Sequence, residues 1–439
     1  MLRPGHVVLL CAVALITLGV VMVNSASMQV RPLDPGADPA VAAAASGITL
    51  TSVLTSRTAF YMLAAIAAMI VCSQIPVARL ADRLVPQPTT SLVPTGRPAR
   101  ADLLFLGVAT LVLLIITALV YVPGIARPVN GAHRWVDLGL PGLNSFQPSE
   151  LAKWGVIPLV ALYAARLARR EGEPLTRFFT GLVPPLAAVG LLAALVIVED
   201  LGTGFLIAAV GAFVLLAAGA RARHFALFVP VAVAGVTYAI MTSPYRVRRI
   251  LAFLDPYADP EGSGFHMIQS MSTVAGAGPF GRGLGHGLQK FGYLPEDTTD
   301  FLFAIICEEL GLAGATLVIA LYLIMLWASI HIARREQRPL LKLLVLGVAA
   351  TIAIQAAINL VVVTGLGPTK GIALPLLSSG GTGWILTSAM LGLVAATDRT
   401  LASTTQANIH AAEHTPDIAS PAKPRVRLSL EREPDPQPA

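Results

Sequence analysis

Asp300 stands directly before a long apolar run that opens at Phe301, where an ionisable side chain is expensive enough to suggest a task. Partial desolvation at such a border favours proton transfer, the work of a general base. Asp297 and Thr298, just before it, read more simply as caps, since a helix start offers free N–H groups and a positive dipole end. A second cluster comprises Asn130-Gly131-Ala132-His133-Arg134-Trp135 and Gln147-Pro148-Ser149-Glu150-Leu151-Ala152-Lys153. Glu150 and Lys153 stand i,i+3 and share a helix face. They either form an ion pair or leave Lys153, with Arg134, to contact phosphate oxygens. Trp135 either covers a sugar face or anchors at a lipid–water interface.

Other polar groups interrupt the apolar pattern. Tyr245-Arg246-Val247-Arg248-Arg249 leaves a helix where headgroups or an anionic ligand could be met. The run from Gly276 to Gly287 contains a GxGxxG-like spacing, but it lacks the strand–turn–helix context of a dinucleotide site and reads as pliable backbone in a re-entrant loop. Glu199-Asp200 occupies a very short turn, where Asp200 can cap the next helix. Glu308 and Glu309 lie two turns into a helix, and burying both requires an aqueous cavity, a partner or protonation. Gly367-Pro368-Thr369-Lys370-Gly371 and Leu374-Pro375-Leu376-Leu377-Ser378-Ser379-Gly380-Gly381 break the pattern before the last helix. Broken backbone at membrane depth must be buried in protein or line a cavity.

The elements that carry these groups follow from composition. With 55% hydrophobic and 13% charged residues in 439, the chain has too little polar surface for a soluble globule, and a bilayer must supply the solvent. Apolar stretches near 7–27, 58–78, 102–122, 151–168, 178–198, 203–220, 222–241, 301–328, 343–365 and 379–397 predict an all-α polytopic protein of about ten helices. The net charge of +6 comes from basic residues at helix ends, which excludes a nucleic-acid stripe. By the positive-inside rule the Arg-rich connections are cytoplasmic, both termini are inside, and 28–56, 123–150 and 242–300 face outward, the last despite its arginines. Asn24-Ser25-Ala26-Ser27 has the small residues of a cleavage site, but an uncleaved first helix serves equally as a signal. Cys11, Cys72 and Cys307 fall in or beside helices and read as packing residues. Residues 1–400 read as one membrane domain, with 242–300 its large outer loop between helices 7 and 8. The Pro-rich 401–439 reads as a disordered cytoplasmic tail.

In order, Val21 to Ser27, Asn130 to Trp135, Gln147-Pro148-Ser149-Glu150, Asp200-Leu201-Gly202-Thr203, Tyr293-Leu294-Pro295-Glu296 with Thr299-Asp300-Phe301, Glu308-Glu309-Leu310-Gly311 and Pro368-Thr369-Lys370-Gly371 resemble the SEDS family, which includes FtsW, RodA and SpoVE. Gln289-Lys290 before the Tyr-Leu-Pro-Glu run looks more like the FtsW and SpoVE branch. The resemblance implies an inverting glycosyltransferase of the bacterial inner membrane that polymerises lipid II into glycan strands at the division septum, with a lipid II flippase or a non-catalytic division scaffold as the alternatives. It implies a class B penicillin-binding transpeptidase and other division proteins as partners, undecaprenyl diphosphate as leaving group, and no nucleic acid. Asp300 matches the family's loop aspartate and becomes the expected base. Arg134, Trp135, Glu150, Lys153, Arg246, Arg249, Gln269 and Lys370 become expected substrate-binding residues. No cofactor is identified, and whether a divalent cation, Mg or Mn, takes part stays open. The chain departs from the family's usual pattern at Ser379, Thr382-Gly383 and Glu199, and in the length of 28–56.

Overall fold

The computed structural model describes residues 2–27, 56–85, 100–129, 132–137, 139, 146–169, 174–289, 298–379 and 381–413, with side chains to 402. The expectations for 28–55, Asn130-Gly131, Tyr293 to Asp297 and the tail beyond 413 lie outside the described residues. One compact unit spans Met1–Thr400 and a second spans Leu401–Ala439.

The elements are overwhelmingly helical, and their order follows the apolar stretches. They are α1 (Pro4–Ala26), α2 (Arg57–Ser73), α3 (Val77–Leu84), α4 (Arg100–Ala118), α5 (Pro148–Leu167), α6 (Val183–Glu199), α7 (Leu201–Ala217), α8 (Ala222–Ala226), α9 (Val229–Met241), α10 (Pro244–Leu254), α11 (Phe265–Ala275), α12 (Leu302–Arg335), α13 (Pro339–Val363) and α14 (Thr382–Glu413). Among the described residues seven helical segments are long and apolar enough to cross a bilayer, and eight if the bent α2–α3 pair is one span. The expected ten is not reached on length and composition. Leu201–Ala217 has 17 residues, and α5 carries Glu150 and Lys153 in its first turns, yet both pack inside the bundle. The all-α expectation also misses one element. Ala126–Val129 (β1) and Ala132–Val136 (β2) form an antiparallel hairpin that holds Arg134 and Trp135.

Without a hydrophobic drive between helices in lipid, close approach depends on small residues. A Cβ added at Gly19 of α1 would lie 2.5 Å from the Leu377 carbonyl oxygen. At Gly211 of α7 it would lie 2.5 Å from Val189 of α6. The α6–α7 turn is the single residue Asp200, whose carboxylate accepts from the Thr203 N–H at 3.1 Å and the Thr203 hydroxyl at 2.8 Å, the cap expected from sequence. The cap expected of Thr298 is absent, because α12 starts at Leu302 with Phe301 before it and no capping side chain. The Thr298 carbonyl instead accepts from the Ser379 N–H at 3.0 Å.

Glu308 and Glu309 find their partner in the glycine-rich segment. Glu309, fully buried, accepts from Ser25 of α1 at 2.9 and 2.7 Å and from the N–H groups of Gly285 at 3.0 Å and Gly287 at 3.3 Å. Glu308 accepts from the N–H of Leu288 at 2.9 Å and of Gln289 at 3.3 Å. The helix breaks at Gly311 (φ 68), where backbone meets backbone and a Cβ would lie 2.3 Å from the Gly281 nitrogen. Glycine there is needed for contact as well as conformation. The two carboxylates thus tie α1, α12 and the 281–289 segment together. Replacing Glu309 by Gln removes one acceptor oxygen and points an NH2 at donors, at a cost of roughly 2–4 kcal/mol. We expect Glu309→Gln to lower the thermal midpoint in detergent and to open 281–289 to proteolysis before the helices are cut.

Candidate functional site

The site is built around the end of α6. Its last carbonyls form the negative end of the helix dipole and favour cations. Arg134 donates from Nε and Nη2 to the Glu199 carbonyl at 3.1 and 2.9 Å. Arg246 of α10 donates from Nη2 to the carbonyls of Ile197 at 2.9 Å and Val198 at 2.7 Å. The Glu199 side chain receives the His133 N–H at 2.8 Å, which fixes the hairpin against the turn. Tyr121, His133, Arg134, Ser149, Glu199 and Asp200 line a cleft beside it.

Arg134 is held by two of its nitrogens, which leaves Nη1 directed elsewhere. A Cβ placed at Gly371 would lie 3.7 Å from Arg134 Nη1 and 3.2 Å from Asp300 Oδ2. Carboxylate and guanidinium therefore close on residue 371 from two sides, an approach that a side chain there would crowd. Asp300 comes to Gly371 half-buried at the approach to α12. Its carbonyl is held by Asn359 of α13 at 2.8 Å.

Further cations converge from other elements. Arg249 of α10 stacks on the Tyr245 ring at 4.5 Å and donates to the Thr369 carbonyl at 3.1 Å, next to Lys370. Burial pushes the Lys370 ammonium below the ordinary lysine range, and Asp200 partly offsets it. A desolvated cation without a full counter-charge is suited to an anionic ligand. Lys153 is 2% exposed and pairs with Glu150 at 2.7 Å, the structural ion pair being the one of the two readings that is present. Its ammonium also donates to Gln355 at 3.0 Å, and Gln355 donates to the Ala373 carbonyl at 2.8 Å. Gly383 leaves room for this pair, since a Cβ there would lie 3.4 Å from Glu150 Oε2.

Sequence reasoning thus named residues that the fold gathers from β2, α5, α10, the approach to α12 and the segment before α14. The expected residues do not all meet at Gly371, where Asp300 and Arg134 are the two that approach. Trp135 lies on β2 opposite Arg127. Gln269 lies on α11 one turn beyond His266, whose ring stacks on Phe301 at 6.1 Å. Arg248 of the same arginine run lines a different depression with Asp255, Asp259 and Ser263. Gln355 and Asn359 were missed, although two amides four residues apart inside an apolar helix were a readable signal. Among the described residues no three His, Cys, Asp or Glu side chains converge to hold a metal ion.

Comparison with known proteins agrees with this geometry. The family model described as a cell cycle protein, covering FtsW, RodA and SpoVE, matches residues 98–403. A probable peptidoglycan glycosyltransferase FtsW from Geobacter metallireducens is 35% identical over 89% of this chain and 94% of its own. Stage V sporulation protein E from Bacillus subtilis is 39% identical over 63% of this chain and 74% of its own. A solved structure described as a peptidoglycan synthase complex superposes with TM-score 0.62 at 25% identity, over 90% of this chain and 97% of the other. The rod shape determining protein RodA of Thermus thermophilus has TM-score 0.54 at 22% identity, over 89% and 95%, a likeness of fold. With its multiple apolar spans and a match that takes in α4 to α14, the chain is a multi-pass membrane protein that belongs to the FtsW/RodA/SpoVE family.

Proposed function

We propose that the protein is a peptidoglycan glycosyltransferase that polymerises lipid II into glycan strands during cell division. In this reading it works in the bacterial inner membrane at the septum, beside a class B penicillin-binding transpeptidase. The proposed orientation puts both termini in the cytoplasm and Gly371 on the outer side, where the basic connections are sparser. The names of its FtsW relatives and the likeness to a peptidoglycan synthase complex support the activity and the partner class. The observation that carries the mechanism is the joint approach of the Asp300 carboxylate and the Arg134 guanidinium to Gly371.

The chemistry requires a base on one side and positive charge on the other. An acceptor sugar hydroxyl attacks the anomeric carbon of the donor, its proton passes to Asp300, and the bond from that carbon to the diphosphate oxygen breaks with inversion. Arg134, Arg249 and Lys370 meet the charge that grows on the departing diphosphate, and they are positioned before reaction rather than during it. Lys153 and Glu150 act in the same site through Gln355, which stitches them to the 369–373 segment. A Mg or Mn ion, if one accompanied the reaction, would add positive charge for the departing diphosphate, and Asp300 is the carboxylate beside Gly371 that would be nearest to hold it.

The deciding experiment compares wild type with Asp300→Asn at equal folded yield, measuring strand formation from purified lipid II with the cognate transpeptidase. Loss in the variant of at least about 100-fold agrees with a base, since general base catalysis contributes roughly 10²–10⁴. Equal rates would remove Asp300 from that role, and inactivity of both would move transport of the lipid ahead of polymerisation. Lys370 makes a second prediction. Because burial lowers its pKa, its charge is lost at a pH below the ordinary lysine range, and diphosphate binding weakens there as pH rises. We expect the alkaline fall in rate to move upward in Lys370→Arg, which keeps its charge. An unchanged alkaline limb would show that Lys370 does not set it.

A further inference from the structure

Two amides on the inner face of α13 take no chemical part in that scheme, yet they hold the backbone on both sides of it, at Asp300 and at Ile372-Ala373. Asn359 is 2% exposed, and its one NH2 group donates to two carbonyls, Asp300 at 2.8 Å and Ile372 at 2.7 Å. One turn earlier Gln355 joins Lys153 to the Ala373 carbonyl. The Asn359 amide cannot be turned round without aiming its oxygen at both carbonyls, so its orientation is fixed by its partners. Its own oxygen is buried with no hydrogen-bond partner among the described residues. A buried amide that leaves its acceptor unpaired while using both donors is placed for the two carbonyls rather than for general packing.

The two carbonyls belong to the segments that carry the opposing charges. Asp300 bears the carboxylate, and Ile372 follows Lys370 and Gly371, the residue that Asp300 and Arg134 approach. We propose that Asn359 is a positioning residue that sets the distance between the base and the anion-binding segment by gripping both backbones with one amide. The proposal rests on the reading of Asp300 as base. Asn359 does not touch substrate; it acts on turnover through Asp300, and Gln355 holds the same segment one residue further along. A displacement of about 1 Å at a reacting group costs roughly 100-fold in rate, which sets the scale of the expected effect.

The test uses the full chain with its cognate transpeptidase and purified lipid II, with kcat and KM measured for wild type, Asp300→Asn, Asn359→Ala and Asn359→Ser. Ala removes both donors, whereas the Ser hydroxyl keeps one. We expect Asn359→Ala to lose between about tenfold and 100-fold in kcat with KM within about twofold of wild type, and Asn359→Ser to fall between them. The proposal is overturned if Asn359→Ala turns over like wild type, or if KM rises while kcat is kept, since the residue then serves binding. Failure of both Asn359 variants to fold also overturns it, because the amide then belongs to the fold and not to the reaction. The base assignment fails separately, through an active Asp300→Asn, whatever the Asn359 variants do.

Discussion

Between α13 and α14 the chain runs without helix and largely buried, and there a backbone group without a partner costs several kcal/mol. The rest of the structure follows from how that segment is satisfied. The Thr369 carbonyl accepts from Arg249, Ile372 from Asn359, Ala373 from Gln355, Pro375 from the Tyr322 hydroxyl and Ser378 from the Trp384 indole. The Leu374 N–H donates to the Ser378 hydroxyl, and the Ser379 N–H to the Thr298 carbonyl. Leu376 takes a left-handed backbone angle, φ 64, and α1 comes close enough at Gly19 to meet the same turn. Five elements are therefore committed to holding one irregular stretch, and that stretch carries Lys370 and Gly371.

The same economy governs the charges. Arg134 and Arg246 satisfy the last carbonyls of α6, Asp200 caps α7, and Glu308 and Glu309 accept the N–H groups of the glycine-rich segment. Most of these ionised groups are fixtures first. Reactivity is left to the few atoms that point past their structural partners, Arg134 Nη1 above all, and to Lys370, whose charge burial disfavours. Preorganisation of this kind is what electrostatic catalysis needs, because the cost of orienting the charges has been met during folding.

How much of this could be read in the sequence depends on the range of the interaction involved. Apolar runs and basic helix ends revealed the helices because partition into lipid acts on each segment alone. The Asp200 cap and the Glu150–Lys153 pair were legible because each is a contact between residues three apart. The β1–β2 hairpin was missed although Asn130-Gly131 between its strands is a strong turn signal, because the short flanking runs carry little alternation between two apolar helices. Glu308 and Glu309 were flagged as costly, but the partner is twenty or more residues away and made of backbone N–H groups, which no side-chain pattern reports. Asp300 and Arg134 stood out by residue type and placement, and resemblance gave them and Lys370 their expected roles, whereas the meeting of Asp300 and Arg134 at Gly371 is purely tertiary. Gln355 and Asn359 left a readable mark, two amides on one face of an apolar helix, but which carbonyls they grip is set by tertiary contact alone.

The central claim is that the glycosidic bond forms where Asp300 and Arg134 approach one another at Gly371. The most direct test is strand formation from purified lipid II in detergent, with no gradient, by wild type and by Gly371→Val with Asp300 and Arg134 left intact. The account predicts strands from wild type and almost none from a folded Gly371→Val, because the added carbons occupy the position bordered by both charges. Strands of normal yield from Gly371→Val would contradict it, and the reaction would then have to be placed elsewhere in the bundle.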